Sequence, residues 1–403
     1  MSYDTDSTSA GLATAGRHSA GAVANLDDVF DDPEHGAVGR DRLGVHFAWE
    51  GVLLLGVIVL GYLLYSSHRE TVTGAGLKGL LVFTSALGIL ALAGSLSLRA
   101  GAPNLAIGPV AVAAALYYAK HSSQGLVPTA TTVLLLALAL GVGIAALVAG
   151  FQVPGWAGSL VAALVAIAWI ENRFPGPVQV QGDFDPTNKA YYLIGAFAVI
   201  SLVGGLLGMI KVIRRGIGRF RPVSDPASRR GGLAATVTSL AVIGSTLLAA
   251  IGGIVLATWW GAAGEQVTPG TGLDWTALAL GAALVGGVSA FGRRGGVFGT
   301  ILATGLLALL MTYGEKANWR ISPWVLAAGA VGIGLIVTRL VETFGRPLSL
   351  DGGADDWSDV GVGTVGTSSW STGTDTWSGL SATPTSPSPT TTTQWGADAD
   401  RWR

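Results

Sequence analysis

The stretch LAATVTSLAVIGSTLLAAIGGIVLATW, residues 233–259, carries no charged side chain. Crossing the ~30 Å hydrocarbon layer of a bilayer takes about 20 apolar residues in helical form. This run meets that length, so it reads as a membrane-spanning helix. Working outward, further apolar runs occupy about 45–65, 77–98, 103–119, 127–150, 155–171, 190–210, 273–291, 295–313 and 322–344. The expectation is an all-α integral membrane protein, a bundle of about ten transmembrane helices with polar, disordered termini. The third, fifth and ninth runs are short. They predict tilted spans, or half-helices enclosed by protein, because a membrane tolerates irregular backbone only away from lipid.

Composition agrees. Of 403 residues, 50% are hydrophobic and 12% charged, against roughly 25% charged in soluble domains. Mean hydropathy is +0.53. The formal net charge of −1 and the lack of a basic block interleaved with aromatics point to no nucleic-acid partner. Cysteine is absent, which removes thiolate chemistry and disulfides. The 60 glycines show no three-residue period, and inside apolar runs they suggest helices packed backbone to backbone. No basic start with an apolar segment behind it marks a secretory signal, and no internal repeat of 20–50 residues is evident.

Three regions follow. Residues 1–44 form an acidic disordered tail, 45–346 the transmembrane domain, and 347–403 a Ser/Thr/Pro/Gly-rich disordered tail with recurrent tryptophans, from Trp357 to Trp402. The loop KVIRRGIGRFRPVSDPASRRGG (211–232) is strongly cationic, and the positive-inside rule places it in the cytoplasm. Both termini and the turn at Arg293 and Arg294 then lie inside as well. The loops 171–189 and 261–274, richer in acids and turn formers, lie outside. The expected location is the plasma membrane.

Chemistry is sparse. No G-x-x-x-x-G-K-[ST] cradle, no histidine pair at metal-ligand spacing and no paired carboxylates within the spans predict neither an enzyme nor a bound cofactor or metal. GVGIAA (141–146) imitates the start of a dinucleotide fingerprint but lies inside an apolar run, and reads as helix packing. Ionisable groups near membrane depth are the default functional candidates. Arg99 and Asn104 flank a break at Gly101 and Pro103. Discontinuous helices of this kind offer polar groups to a transport path, and the competing reading is a cytoplasmic turn with Arg99 at the lipid phosphates. Glu50 is expected at the headgroup level. Arg339 and Glu342 fall on one helical face and can pair. Trp169, Trp259, Trp260, Trp275 and Trp324 read as an interfacial belt, with an aromatic platform for a sugar or base as the alternative. Gly204 and Gly208 suggest a close helix contact within the subunit or across a dimer.

Three stretches resemble the permease subunits of ABC importers in the branched-chain amino acid, ribose and nucleoside group. GGVSAFGRRGGVFGTILATGLLALL (286–310) is similar to that family's GG-x-S-x-x-GG-x-G-x-x-x-GT signature through Gly286, Gly287, Ser289, Gly292, Gly295, Gly299 and Thr300, with Arg293 where a glycine is usual and Arg294 at an open position. SLSLRAGAPNLAIGPVAVAAALYYA (95–119) resembles the RAG-x-x-NIG-x-EG segment of the nucleoside and sugar branch through Arg99, Ala100, Gly101, Asn104 and Gly108, although Pro109 departs from it. Val153 and Pro154 fit the VPPFIVTLGT segment, and ISPWVLAAGAVGIGLIV (321–337) fits the last span. Together these cover about residues 45–345.

The resemblance implies a subunit that moves a small polar solute, a sugar or nucleoside, by alternating access. Its partners would be cytoplasmic ABC ATPase subunits, a second permease subunit, an extracellular solute-binding protein and the lipid bilayer. Arg99, Asn104 and Gly108 would belong to the solute path. The ATPase would dock on the loop holding Arg215, Arg219, Asp225, Ala227, Ser228, Arg229 and Arg230, where SDPASRRGGL departs from the usual N-P-E-A-A-R-x-x-G helix. The Gly-rich turn at Arg293 and Arg294 would be a second cytoplasmic contact or a lipid-phosphate anchor. Two other classes stay open: a non-transporting membrane scaffold derived from such a permease, and an ion-coupled carrier, against which the scarcity of carboxylates in the spans argues.

Overall fold

A computed structural model describes residues 43–209, 232–290 and 298–344. All of these belong to one compact unit, Met1–Leu350; a second, Asp351–Arg403, lies outside the described residues. Both tails and the loop 211–231, including the expected coupling residues, also lie outside them.

Among the described residues there are ten α-helices. They are α1 (Leu43–Ser67), α2 (Gly74–Arg99), α3 (Ile107–His121), α4 (Leu126–Ala145), α5 (Gly155–Arg173), α6 (Ala190–Met209), α7 (Gly232–Ala262), α8 (Leu273–Val285), α9 (Gly299–Lys316) and α10 (Pro323–Phe344). Each corresponds to one expected run. A π-helical turn, Ala146–Gly150, carries α4 onward. Seven of the ten are long and apolar enough to cross a membrane: α1, α2, α4, α5, α6, α7 and α10. The architecture is that of a multi-pass α-helical membrane protein.

Burial separates centre from periphery. The spans of α2 and α7 are 67% buried within the chain, whereas that of α1 is 17% buried. The outer helices present apolar side chains outward, such as Leu55 and Tyr62 on α1 and Val199 on α6. In water such faces would be a liability; against lipid tails they cost nothing.

The central pair, α2 and α7, is antiparallel. Phe83 stacks on Trp259 at one end, Leu90 meets Gly252, and the Ser245 hydroxyl donates to the Ala93 carbonyl at 2.8 Å. The short helices fill the spaces beside this pair. Asn104, just before α3, reaches Ser245 near the middle of the 31-residue α7. Ala111, one turn into α3, lies backbone to backbone with Gly253. Thus α3 runs parallel to α7 and starts at mid-bundle. Correspondingly, α8 runs parallel to α2: Gly94 packs on Ala279 and Leu280, and Leu98 clusters with Leu284.

The half-helices are therefore α3 and α8, of 15 and 13 residues. The third was expected among the short runs, together with the fifth and ninth; the eighth was not. The fifth helix, of 19 residues, is long and apolar enough to span, whereas the ninth, of 18, is not among the seven that are. The eighth run was expected to reach 291 but its helix ends at Val285, in a Schellman turn. Gly287 takes φ +82°, its amide donates to the Leu284 carbonyl, and that of Val288 to Ala283. No L side chain other than glycine accepts that φ without strain.

A repeat exists that a search at 20–50 residues does not detect. In both halves a long helix ends in an Ala-Gly turn (Ala100–Gly101, Ala263–Gly264), the chain folds back, and a short helix begins at mid-bundle. The two copies are mutually inverted, α3 lying on α7 and α8 on α2. Return segments differ in length. The longer one, after α7, includes a strand, β2 (Gln266–Val267), paired antiparallel with β1 (Val178–Gln179) from the loop between α5 and α6. That pairing puts both loops at one end of the bundle, here termed the sheet-bearing end. The loop 211–231 connects helix ends at the other.

Candidate functional site

The N-termini of α3 and α8 meet head to head. The Gly108 amide donates to the Thr276 hydroxyl at 2.9 Å, and that hydroxyl donates to the Leu105 carbonyl at 3.1 Å. Gly108 and Gly272 touch through their backbones: a Cβ on Gly108 would collide with the Gly272 carbonyl and stand 2.6 Å from the Thr276 nitrogen. Only glycine at both positions allows the two helix starts to share this space.

Asn104 anchors the same junction. It is wholly buried. Its Nδ2 donates to Ser245 Oγ at 3.0 Å and Thr246 Oγ1 at 3.3 Å, while its Oδ1 accepts from the Ala106 amide at 3.0 Å. Ser159 on α5 closes the other side, accepting from the Leu105 amide and donating to the Pro103 carbonyl, each at 3.0 Å. The return segment 102–106 would otherwise expose orphan backbone groups in an apolar interior, at a cost of several kcal/mol each in hydrocarbon. Ser159 of α5, Thr276 of α8, the Ser97 carbonyl of α2 and the Asn104 side chain supply the groups that satisfy them.

Arg99, at the end of α2, donates from Nη1 to the Gly204 carbonyl on α6 at 3.3 Å. Its buried Nε has no partner among the described residues. The three residues expected in a solute path therefore occupy different surroundings: Asn104 and Gly108 sit in the mid-bundle junction, and Arg99 sits at the edge against α6. Gly204 has nothing within 4 Å of where a Cβ would stand among the described residues, and the surroundings of Gly208, expected to share its contact, lie outside them. Gly141, by contrast, packs on the Ile243 backbone, the helix contact expected of GVGIAA.

The Gly-rich signature is partly described. Gly292, Arg293, Arg294 and Gly295 lie outside the described residues. Gly286 and Gly299 bring α8 and α9 into backbone contact, a Cβ on Gly286 falling 2.8 Å from the Thr300 nitrogen. Ser289 and Thr300 are buried. Two residues of α1 tie these helix ends down. Trp49 Nε1 donates to the Val285 carbonyl at 2.7 Å, and Glu50 Oε1 accepts from the amides of Phe298 and Gly299 at 2.9 and 3.1 Å. Glu50 is thus a buried cap on α9. Arg339 is exposed; the side chain of Glu342, its expected partner, lies outside the described residues.

A cavity of about 620 Å³ opens beside the junction at the sheet-bearing end. One wall is a continuous run of rings: Phe83 on Trp259 (centroids 4.9 Å apart), Trp259 beside Trp260 (6.4 Å), and Trp260 edge-on to Trp275 (6.1 Å). Trp319 and Met311 face it from the α9 side. Glu70, Glu265, Glu315 and Lys316 also line it. Three of the tryptophans expected in an interfacial belt, Trp259, Trp260 and Trp275, line this cavity. Trp324 is 53% exposed and Trp169 stacks with Tyr117.

Sequence reading missed Ser245, Thr246, Thr276 and Ser159, though each interrupts an apolar run. No protein-family model, no curated protein and no solved structure matches the chain.

Proposed function

We propose that this chain is the membrane-spanning permease subunit of an ATP-driven importer of a small polar solute. The observation that carries the reading is the head-to-head meeting of α3 and α8 between two long antiparallel helices. Broken helices at mid-bundle in an inverted repeat are a recurring way to build a site that can face either side. The stretches that resemble ABC importer permeases fall on the same parts: 95–119 covers most of the first half-helix and its lead-in, and the described parts of 286–310 are the residues just after the second and the start of α9.

In this reading the Gly108–Gly272 contact and the Asn104 network hold the two half-helices as one stiff unit, and alternating access rocks that unit between the flanking helices. ATP is hydrolysed by a separate subunit, since the chain has no phosphate-cradling motif. The cationic 211–232 segment docks that subunit, where charge complementarity gives specificity and on-rate. The resemblance puts the solute among sugars and nucleosides.

The test is purification of the full-length tagged chain from native membranes in mild detergent, followed by identification of co-eluting proteins and vesicle uptake of labelled nucleosides and sugars. An ATP-binding subunit in stoichiometric amount, with uptake that needs ATP, supports the reading. A chain that elutes without one, in vesicles whose uptake ignores ATP, sinks it and leaves the scaffold reading in its place.

A further inference from the structure

The cavity at the sheet-bearing end has a composition that a neutral solute would not require. Its inner wall is aromatic: Phe83, Trp259, Trp260 and Trp275, on three different helices, line it and pack partly against one another. Around them stand three carboxylates, Glu70, Glu265 and Glu315, against one ammonium, Lys316. Lys316 lies 3.7 Å from Glu315, so these two largely offset each other. Glu70 has His68 at 3.9 Å, and no ion pair of Glu265 is seen among the described residues. The open cavity therefore carries an excess of negative charge beside aromatic rings.

The geometry points to a binding site for an organic cation, a substituted ammonium headgroup seated on the Trp259, Trp260 and Trp275 rings and balanced by Glu70 and Glu265. A positive charge over an indole face is attracted by the ring quadrupole, at water-exposed sites as well as buried ones. Alkyl substituents on the nitrogen spread the charge over apolar surface and fit a wall that is mostly aromatic. A simple metal ion would find no convergent carboxylates here, since no group of three or more metal-ligating side chains exists among the described residues. The site does not depend on the transport reading, because binding needs neither ATP nor a partner subunit.

Equilibrium binding of radiolabelled choline to the purified full chain in lipid nanodiscs tests it, with 3,3-dimethylbutanol as the neutral isostere and adenosine and ribose as competitors. Saturable choline binding is expected. The isostere should compete at least about tenfold more weakly, as loss of a cation–π contact and its counter-charge implies. Trp275→Ala should weaken binding, and so should the double variant Glu70→Gln with Glu265→Gln, whose side chains are exposed and whose fold should be kept. An unchanged elution profile in both variants distinguishes loss of the site from loss of the protein. The proposal is overturned if choline does not bind, if the isostere competes as well as choline, if adenosine or ribose displaces choline more tightly than choline itself binds, or if the glutamine double variant binds choline unchanged.

Discussion

The carboxylate of Glu50 and the amide of Gly299 are 3.1 Å apart, across more than half of the chain's length. The same oxygen takes the Phe298 amide at 2.9 Å, so one side chain of α1 satisfies two of the four orphan N–H groups that open α9. A negative group is also favoured there by the helix dipole. Glu50→Ala should destabilise the protein by about 1–3 kcal/mol, the cost of leaving buried donors unpaired. Glu50→Gln keeps an acceptor oxygen in place and should cost less than half as much. Thermal unfolding of both variants in the same detergent measures the difference; equal losses would show that the side chain acts through bulk rather than through capping.

Glycine at 108 is a steric requirement, and the chain contains its own control. Gly108→Ala drives a methyl into the Gly272 carbonyl and the Thr276 amide, both of them backbone and unable to swing away. Overpacking of this kind costs about 1–3 kcal/mol or more. Gly143, inside α4, has nothing within 4 Å of where a Cβ would stand, and Gly143→Ala should be neutral or stabilise by up to about 1 kcal/mol through helix propensity. The pair is checked by melting temperature side by side. A Gly108→Ala protein as stable as Gly143→Ala would mean that the two half-helices do not meet as described.

The polar junction should behave as one unit around Asn104. Asn104→Ala removes two donated bonds and leaves the Ala106 amide without its acceptor. Ser245→Ala removes one hydroxyl, whose other bond goes to a carbonyl within α2. The expected order is a loss of about 1–3 kcal/mol for Asn104→Ala and under about 1 kcal/mol for Ser245→Ala. Because the two residues are in contact, the double variant should fall short of the sum. Strict additivity would indicate that the 3.0 Å contact between them contributes nothing.

The spans were legible because an uninterrupted apolar run has one physical reading. The end of α8 was not: GGVSA (286–290) continues the apolar pattern, and only the left-handed turn at Gly287 stops the helix. Gly101 and Pro103, by contrast, announced the break before α3. Ser245 and Thr246 were invisible for another reason. A serine or threonine in a helix can satisfy its hydroxyl on its own backbone, as Thr246 does on Val242, so its presence in an apolar run does not say whether it faces lipid or a partner. Glu50 lay one turn from an expected span end, where a carboxylate has an ordinary place at the headgroups. Its partners are fixed by how α1 crosses the start of α9, a relationship no local pattern carries.

The absence of cysteine makes the sidedness of the bundle directly measurable, since any introduced thiol is the only one. Two separate claims can be tested with it. The pairing of Val178 with Val267 places the loops around Asp183 and Thr268 at one end, and both residues are exposed. Asp183→Cys and Thr268→Cys should therefore react from the same side of the membrane with an impermeant maleimide, whichever side that is. Ser224→Cys, in the cationic loop, should react from the opposite side, and the arginine excess predicts that this is the cytoplasm. If Asp183→Cys and Thr268→Cys label from different sides, the sheet and the helix directions built on it are wrong. If those two agree but Ser224→Cys labels in intact cells, the fold stands inverted in the bilayer. The loop would then be out of reach of a cytoplasmic ATPase, and the importer reading would fail while the inverted repeat survived.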